Sequence, residues 1–116
     1  DLAIIGVGSG GLAAASKAAS YVEKVLIFDY VAPTPRGITC GVGGTCVNFG
    51  CDPKKLFHRA AVMKHDMEAS AVSYGLGVHE PTLDWRTLQV NVTMHIRSVN
   101  FVYRMKFTRE SITYKN

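Results

Sequence analysis

The run Gly6-Val7-Gly8-Ser9-Gly10-Gly11 constrains this chain more than any other stretch. It carries G-x-G-x-x-G at Gly6, Gly8 and Gly11, set between two segments of different character. Before it, Leu2-Ala3-Ile4-Ile5 is a short apolar run that reads as a buried strand. After it, the residues from Gly10 to about Tyr21 are rich in Ala, the best helix former, and read as a helix. Gly6 permits the tight turn between them. Gly8 lets backbone approach a pyrophosphate, and Gly11 lets helix and strand pack closely. The helix start offers free N–H groups and partial positive charge to phosphates. A second apolar run, Val25-Leu26-Ile27-Phe28, reads as another buried strand and ends at Asp29. An acid at that place can accept hydrogen bonds from a ribose diol. Strand, glycines, helix, strand and acid in this order predict an adenine dinucleotide site, without separating NAD from FAD. The plain alternative is a glycine-rich turn with an unrelated loop aspartate.

Glycine clusters a second time. Of the eleven glycines, all but Gly75 and Gly77 fall within Gly6–Gly11 or Gly37–Gly50. Val31 to Thr45, with Pro33 and Pro35, reads as a long loop. From about Cys46 to Tyr74 the spacing predicts a helix, with Leu56, Ala60, Met63, Met67, Ala71 and Tyr74 on one face and Gly75 as its C-cap. Another helix is expected from about Asp84, a reasonable N-cap, to Arg109, with Leu88, Val92, Ile96, Val99 and Tyr103 on one face. Ser111 to Tyr114 alternates as a strand would. No repeat, low-complexity tract or linker divides the chain. The fold class expected is α/β.

Composition removes several function classes. A hydrophobic share of 47% against 19% charged residues is globular rather than disordered. No run approaches the roughly 18 apolar residues of a membrane span. A net charge of +4 without a dense basic cluster does not point to nucleic acid. Three cysteines are too few for a secreted disulfide scaffold, which favours an intracellular thiol with a task. The start, Asp1-Leu2-Ala3, has neither Met nor a basic leader, so no signal peptide is expected and the chain reads as a piece of a longer protein.

The most informative stretch is Gly43-Gly44-Thr45-Cys46-Val47-Asn48-Phe49-Gly50-Cys51-Asp52-Pro53-Lys54-Lys55. Cys46 and Cys51 stand at the head of a helix. Their sulfurs can meet if the first turn is distorted, and Gly50 and Pro53 favour distortion. A helix N-terminus stabilises a thiolate, and Lys54 and Lys55 add positive charge. Such a dithiol suits reversible exchange. Three other readings stand beside it: inert buried cysteines, a static disulfide, or a zinc site of Cys40, Cys46, Cys51 and His58. The last lacks the usual C-x₂₋₄-C spacing.

These residues resemble a known family. Gly44 to Cys51 followed by Pro53-Lys54-Lys55 is similar to the redox centre of the FAD-dependent pyridine nucleotide–disulfide oxidoreductases. The insert Val31 to Thr39, Leu83-Asp84-Trp85 and His95 to Phe101 resemble the thioredoxin reductase and thioredoxin–glutathione reductase branch. The resemblance implies a Rossmann-like FAD-binding domain, of which residues 1–116 form the N-terminal portion. It implies FAD as cofactor, NADPH bound by a region outside this chain, and a homodimeric parent that reduces thioredoxin or glutathione disulfide. It further implies a Cys46–Cys51 disulfide, with Cys51 as the thiol under the flavin, Cys46 as the interchange thiol and Lys54 beside the flavin. Gly6, Gly8, Ser9, Gly10, Gly11, Asp29, Tyr30, Gly44, Thr45 and Gly50 match positions of the FAD site. No metal is implied, and the parent is expected in the cytoplasm or mitochondrion. Alone, the chain is not expected to turn over. The rival function is a dinucleotide-binding module whose cysteines are inert or bind zinc.

Two positions depart from the family pattern. Asp52 stands where Ile or Val is usual, and Cys40 where this branch has Trp. A carboxylate beside Cys51 would disfavour its thiolate. His58 and His65 share a helix face with Cys51 but read as ordinary histidines. Trp85 reads as a packing anchor, and Arg97, Arg104, Lys106 and Arg109 as a solvated helix face.

Overall fold

A computed structural model of the chain describes residues 1–30, 41–77 and 80–116. Most of the expected loop, including Cys40, lies outside the described residues. In chain order the elements are β1 (Leu2–Ile5), α1 (Ser9–Ala18), β2 (Val25–Phe28), α2 (Gly44–Asn48), α3 (Cys51–Ala69), a 3₁₀ turn (Val72–Tyr74), α4 (Trp85–Arg109) and β3 (Ile112–Lys115).

The strands form a parallel sheet in the order β1-β2-β3. Leu2 pairs with Val25, and Val25 with Ile112. Parallel neighbours need crossovers, supplied by α1 between β1 and β2 and by α2 to α4 between β2 and β3. This is the 3-2-1 half of a doubly wound sheet, so the α/β, Rossmann-like expectation agrees with the observed architecture.

Paired residues share a sheet face, so Leu2, Ile4, Val25, Ile27, Ile112 and Tyr114 line one side. That side packs on Leu12 and Ala15 of α1 and Phe107 of α4, with Val7 and Val42 completing the core. Ile27 is fully buried, a burial that favours folding by about 1.5–3 kcal/mol. The other side carries Ile5, Leu26 and Phe28 and has no such layer among the described residues; Ile5 is 92% exposed. Among the described residues, the two apolar runs that read as buried strands are therefore covered on one face only.

The expected helix from Cys46 to Tyr74 is two helices and a 3₁₀ turn. Its break has a local cause. In a continuous helix the N–H of residue 53 would bond to the Phe49 carbonyl, but Pro53 has no N–H and its ring would press on that carbonyl. Instead Phe49 closes α2 by donating to the Thr45 carbonyl (2.8 Å), and Lys54 opens the α3 ladder by donating to that of Gly50 (3.0 Å). Along α3, Leu56 and Ala60 are partly covered, whereas Met63 and Met67 are exposed. Gly75, in the left-handed region at φ 74°, caps the 3₁₀ turn rather than α3.

Asp84 caps α4 as expected, accepting from the Thr87 N–H (3.1 Å) and hydroxyl (2.6 Å). The predicted stripe of α4 is buried at Val92 and partly buried at Leu88, Ile96, Val99 and Tyr103. A second stripe, Val90, Met94, Phe101 and Met105, lies on the opposite face and is exposed. Trp85 stacks on Phe57 of α3 at 5.2 Å yet stays more than half exposed. The radius of gyration is 19.1 Å, against about 13 Å for a compact domain of this length.

Candidate functional site

Parallel strands end on the same side of a sheet, so the residues after β1 and β2 lie together. Gly6 turns the chain at φ 98°, and its N–H donates to the Phe28 carbonyl (2.7 Å). Val7 then drops fully into the core. The glycines that follow are of two kinds. A Cβ on Gly11 would overlap the Gly6 carbonyl oxygen, so the turn itself requires that glycine. Around Gly8 and Gly10 a Cβ would meet nothing within 4 Å. Their bareness leaves open space over the start of α1, where Gly8 as N-cap supplies no side-chain bond and the first turn holds no acid. Backbone N–H groups without side-chain caps beneath an open cradle fit a bound phosphate. Ser9 is exposed at the head of α1.

At the end of β2, the Asp29 N–H donates to the Lys115 carbonyl (2.9 Å), and its carboxylate accepts the Tyr30 N–H (3.0 Å). Asp29 is half-buried and Tyr30 largely exposed. Burial, and then the Asp29 charge, raise the Tyr114 phenol above its ordinary value.

The second glycine cluster is seated on the first. Gly43 (φ 124°) donates its N–H to the Val7 carbonyl (3.1 Å). A Cβ on Gly44 (φ 69°) would lie 2.8 Å from the Gly8 Cα. The structure thus brings Gly6–Gly11 and the segment leading to Cys46 into backbone contact.

Cys46 on α2 and Cys51, the first residue of α3, form a disulfide with Cα atoms 4.8 Å apart. Along a regular helix the same separation would span about 7.5 Å of rise alone, beyond disulfide reach. The break at Phe49 and Gly50 is what lets the sulfurs meet. Gly50 has little room: a Cβ there would stand 3.2 Å from the Thr45 carbonyl oxygen and 3.3 Å from the Cys46 Cα. Thr45 is exposed, as is Lys54, one turn beyond Cys51. Asp52 is half-buried in the first turn of α3.

Sequence reasoning missed Asn48. It is buried, and its amide bonds to Gly41, Gly44 and Asn100 of α4. The available signal was an amide, Asn100, beside Val99 and Tyr103 on the packed face of α4.

His58 and His65 are exposed, as are Arg97, Arg104 and Arg109. Lys106 and Arg109 approach Glu110 at 3.8 and 3.9 Å. Among the described residues no three His, Cys, Asp or Glu side chains gather as a metal site. Among them, too, no helix is long and apolar enough to cross a membrane.

Residues 1–116 match the family model described as pyridine nucleotide-disulphide oxidoreductase. The chain is 48% identical to a thioredoxin reductase of Emiliania huxleyi over 116 residues. It is 47% identical to the mitochondrial thioredoxin reductase 2 of Drosophila melanogaster over 118 aligned positions. Each match covers all of this chain but 23% of the relative's length. A glycine turn seated against a helix-head disulfide, and a family match running the whole length, lead to one conclusion: the chain belongs to the pyridine nucleotide-disulphide oxidoreductase family.

Proposed function

We propose that residues 1–116 are part of the FAD-binding domain of an NADPH-dependent flavoprotein disulfide reductase acting on thioredoxin, with glutathione disulfide as the second candidate acceptor. Bound there, FAD would supply two electrons that open the Cys46–Cys51 disulfide, replenished by NADPH held outside these residues. The Gly6–Gly11 backbone and Ser9 would hold its phosphates, Asp29 and Tyr30 its ribose, and Gly44, Thr45, Gly50 and Lys54 the part nearest the thiols. The parent is read as a homodimer of the cytoplasm or mitochondrion.

The cysteines then act by exchange. The Cys46 thiolate attacks one sulfur of the acceptor disulfide, forming a mixed disulfide and releasing the first acceptor thiol. The Cys51 thiolate attacks the Cys46 sulfur, remaking Cys46–Cys51 and releasing the second. Placement of Cys51 at the first position of α3 favours its thiolate, and Asp52 opposes it.

One observation carries this reading: the backbone contact of Gly44 on Gly8, which joins a dinucleotide turn to a helix-head disulfide. The test is NADPH-dependent reduction of thioredoxin by the whole flavoprotein with Cys46→Ser or Cys51→Ser. Turnover is expected to fall at least about a thousandfold, since a nucleophile acting in a unit cannot be spared. Turnover within tenfold of the parent in either variant would overturn the reading.

A further inference from the structure

Resting on the reading of Cys46 and Cys51 as a cycling pair, we propose that Asn48 and Asn100 are positioning residues: their amide clamp holds Cys46 in place while the disulfide is open, and so biases the dithiol–disulfide equilibrium toward closure. An asparagine amide has two N–H donors and two acceptor lone pairs. In Asn48 all four are engaged. Its Nδ2 donates to the carbonyls of Gly41 (2.9 Å) and Gly44 (2.8 Å). Its Oδ1 accepts from the Gly41 N–H (3.0 Å) and from Asn100 Nδ2 (3.1 Å). With 8% exposure it is the buried polar residue of the described chain. Turning the amide over would set oxygen against two carbonyls, so its orientation is fixed.

Asn100 extends the clamp. Its Nδ2 also donates to the Val42 carbonyl (2.6 Å), and Val42 is fully buried in the core. The Asn100 side chain occupies the place a Cβ on Gly41 would take. Residues 41–44, α2 and α4 are thereby tied into one unit whose bonds do not depend on the disulfide.

The tie matters because α2 has five residues, too few to hold a position by helix propensity. Beside the apolar foothold of Val47, two links fix it at the thiols: the covalent one from Cys46 to Cys51, and the amide of Asn48. Opening the disulfide leaves the second. Thiols held near one another have a high effective concentration, which favours ring closure. Without the clamp the open form gains freedom and the dithiol is favoured.

Equilibration of the full chain with dithiothreitol tests this. The S–S bond breaks, two protein thiols form, and the probe becomes its cyclic disulfide; two electrons and two protons pass from probe to protein. Thiols are trapped by alkylation and counted by mass across a series of reduced-to-oxidised probe ratios. Asn48→Ala is expected to shift the equilibrium constant toward the dithiol by about tenfold, equivalent to about 30 mV for a two-electron couple. Asn100→Ala, which spares the bonds of Asn48 to Gly41 and Gly44, is expected to shift it the same way by about threefold. Circular dichroism confirms the fold; should Asn48→Ala not fold, Asn100→Ala decides. Folded variants whose constants stay within twofold of the parent would overturn the clamp. A parent disulfide that does not open and reclose reversibly would instead overturn the cycling pair itself.

Discussion

The two glycine-rich segments of the site touch, yet they are held by different forces. Beyond its backbone bonds, the turn at Gly6–Gly11 is fixed by packing and exclusion, with no side-chain hydrogen bond at the α1 cap: Val7 and Leu12 are buried beneath it, and Gly11 leaves no room for a methyl group. The segment at 41–51 has an apolar foothold in Val42 and Val47, but its shape is set by a buried amide and a covalent bond. Packing resists a change of volume and does not depend on redox state. Hydrogen bonds and a disulfide can be opened and remade. On the proposed function, the rigid half would hold the cofactor and the other half the bond that opens and closes.

The sharpest way to break this contrast is a pair of methyl groups. Gly11→Ala drives a Cβ into the Gly6 carbonyl and is expected to cost at least about 3 kcal/mol in denaturant unfolding. Gly8→Ala meets open space and is expected to cost no more than about 1 kcal/mol, while flavin retention by the purified protein falls. Equal losses of stability would mean that the two glycines are not of different kinds. Gly44→Ala is next in size. It combines φ 69° with a Cβ 2.8 Å from the Gly8 Cα, for an expected cost of about 1–3 kcal/mol. Because the strain falls between the segments, flavin retention and thiol reactivity should both decline; loss of only one would show that the segments are less coupled than their contact suggests.

The smallest effect is one of pH. Bonds from the Thr87 hydroxyl and then its backbone N–H lower the Asp84 carboxyl below its ordinary value. A depressed folded value contributes stability that is present above the unfolded value and is lost as pH falls through the folded one. Acidification below about pH 4 should therefore loosen the start of α4, the helix that carries Asn100. Amide exchange followed down to pH 3 should show protection falling at Thr87 and Leu88, with residues 41–48 affected more than Val7 to Leu12. Equal loosening of both segments would erase the asymmetry.

What could be read in advance follows the same division. The turn, the helix after it and the strand that ends before Asp29 were legible because each rests on neighbours in sequence, and the predicted elements fall at Ser9–Ala18 and Val25–Phe28. The distortion between Cys46 and Cys51 was legible from Gly50 and Pro53, though its extent, a full break into two helices, was not. Asn48 stayed hidden because its partner on α4 is 52 residues away, and no periodicity marks a hydrogen bond across that distance. The strands misled in another way. Continuous apolar runs signal burial on both faces, as parallel sheets usually have. Here the helices among the described residues cover only one. Met63 and Met67 repeat the lesson, since a helical stripe records a face able to pack without showing what packs on it.

The exposure of Ile5 and Phe28 on the second sheet face has a calorimetric consequence. Unfolding raises heat capacity by about 12–15 cal/mol/K per residue, or about 1.4–1.7 kcal/mol/K for a compact chain of 116 residues. In residues 1–116 by themselves, Ile5, Phe28 and the second stripe of α4 already meet water when folded, so less hydrocarbon is newly wetted on melting. The heat-capacity step and the urea slope should both fall short of those for a compact chain, giving a stability curve that is low and flat, with little curvature between cold and heat.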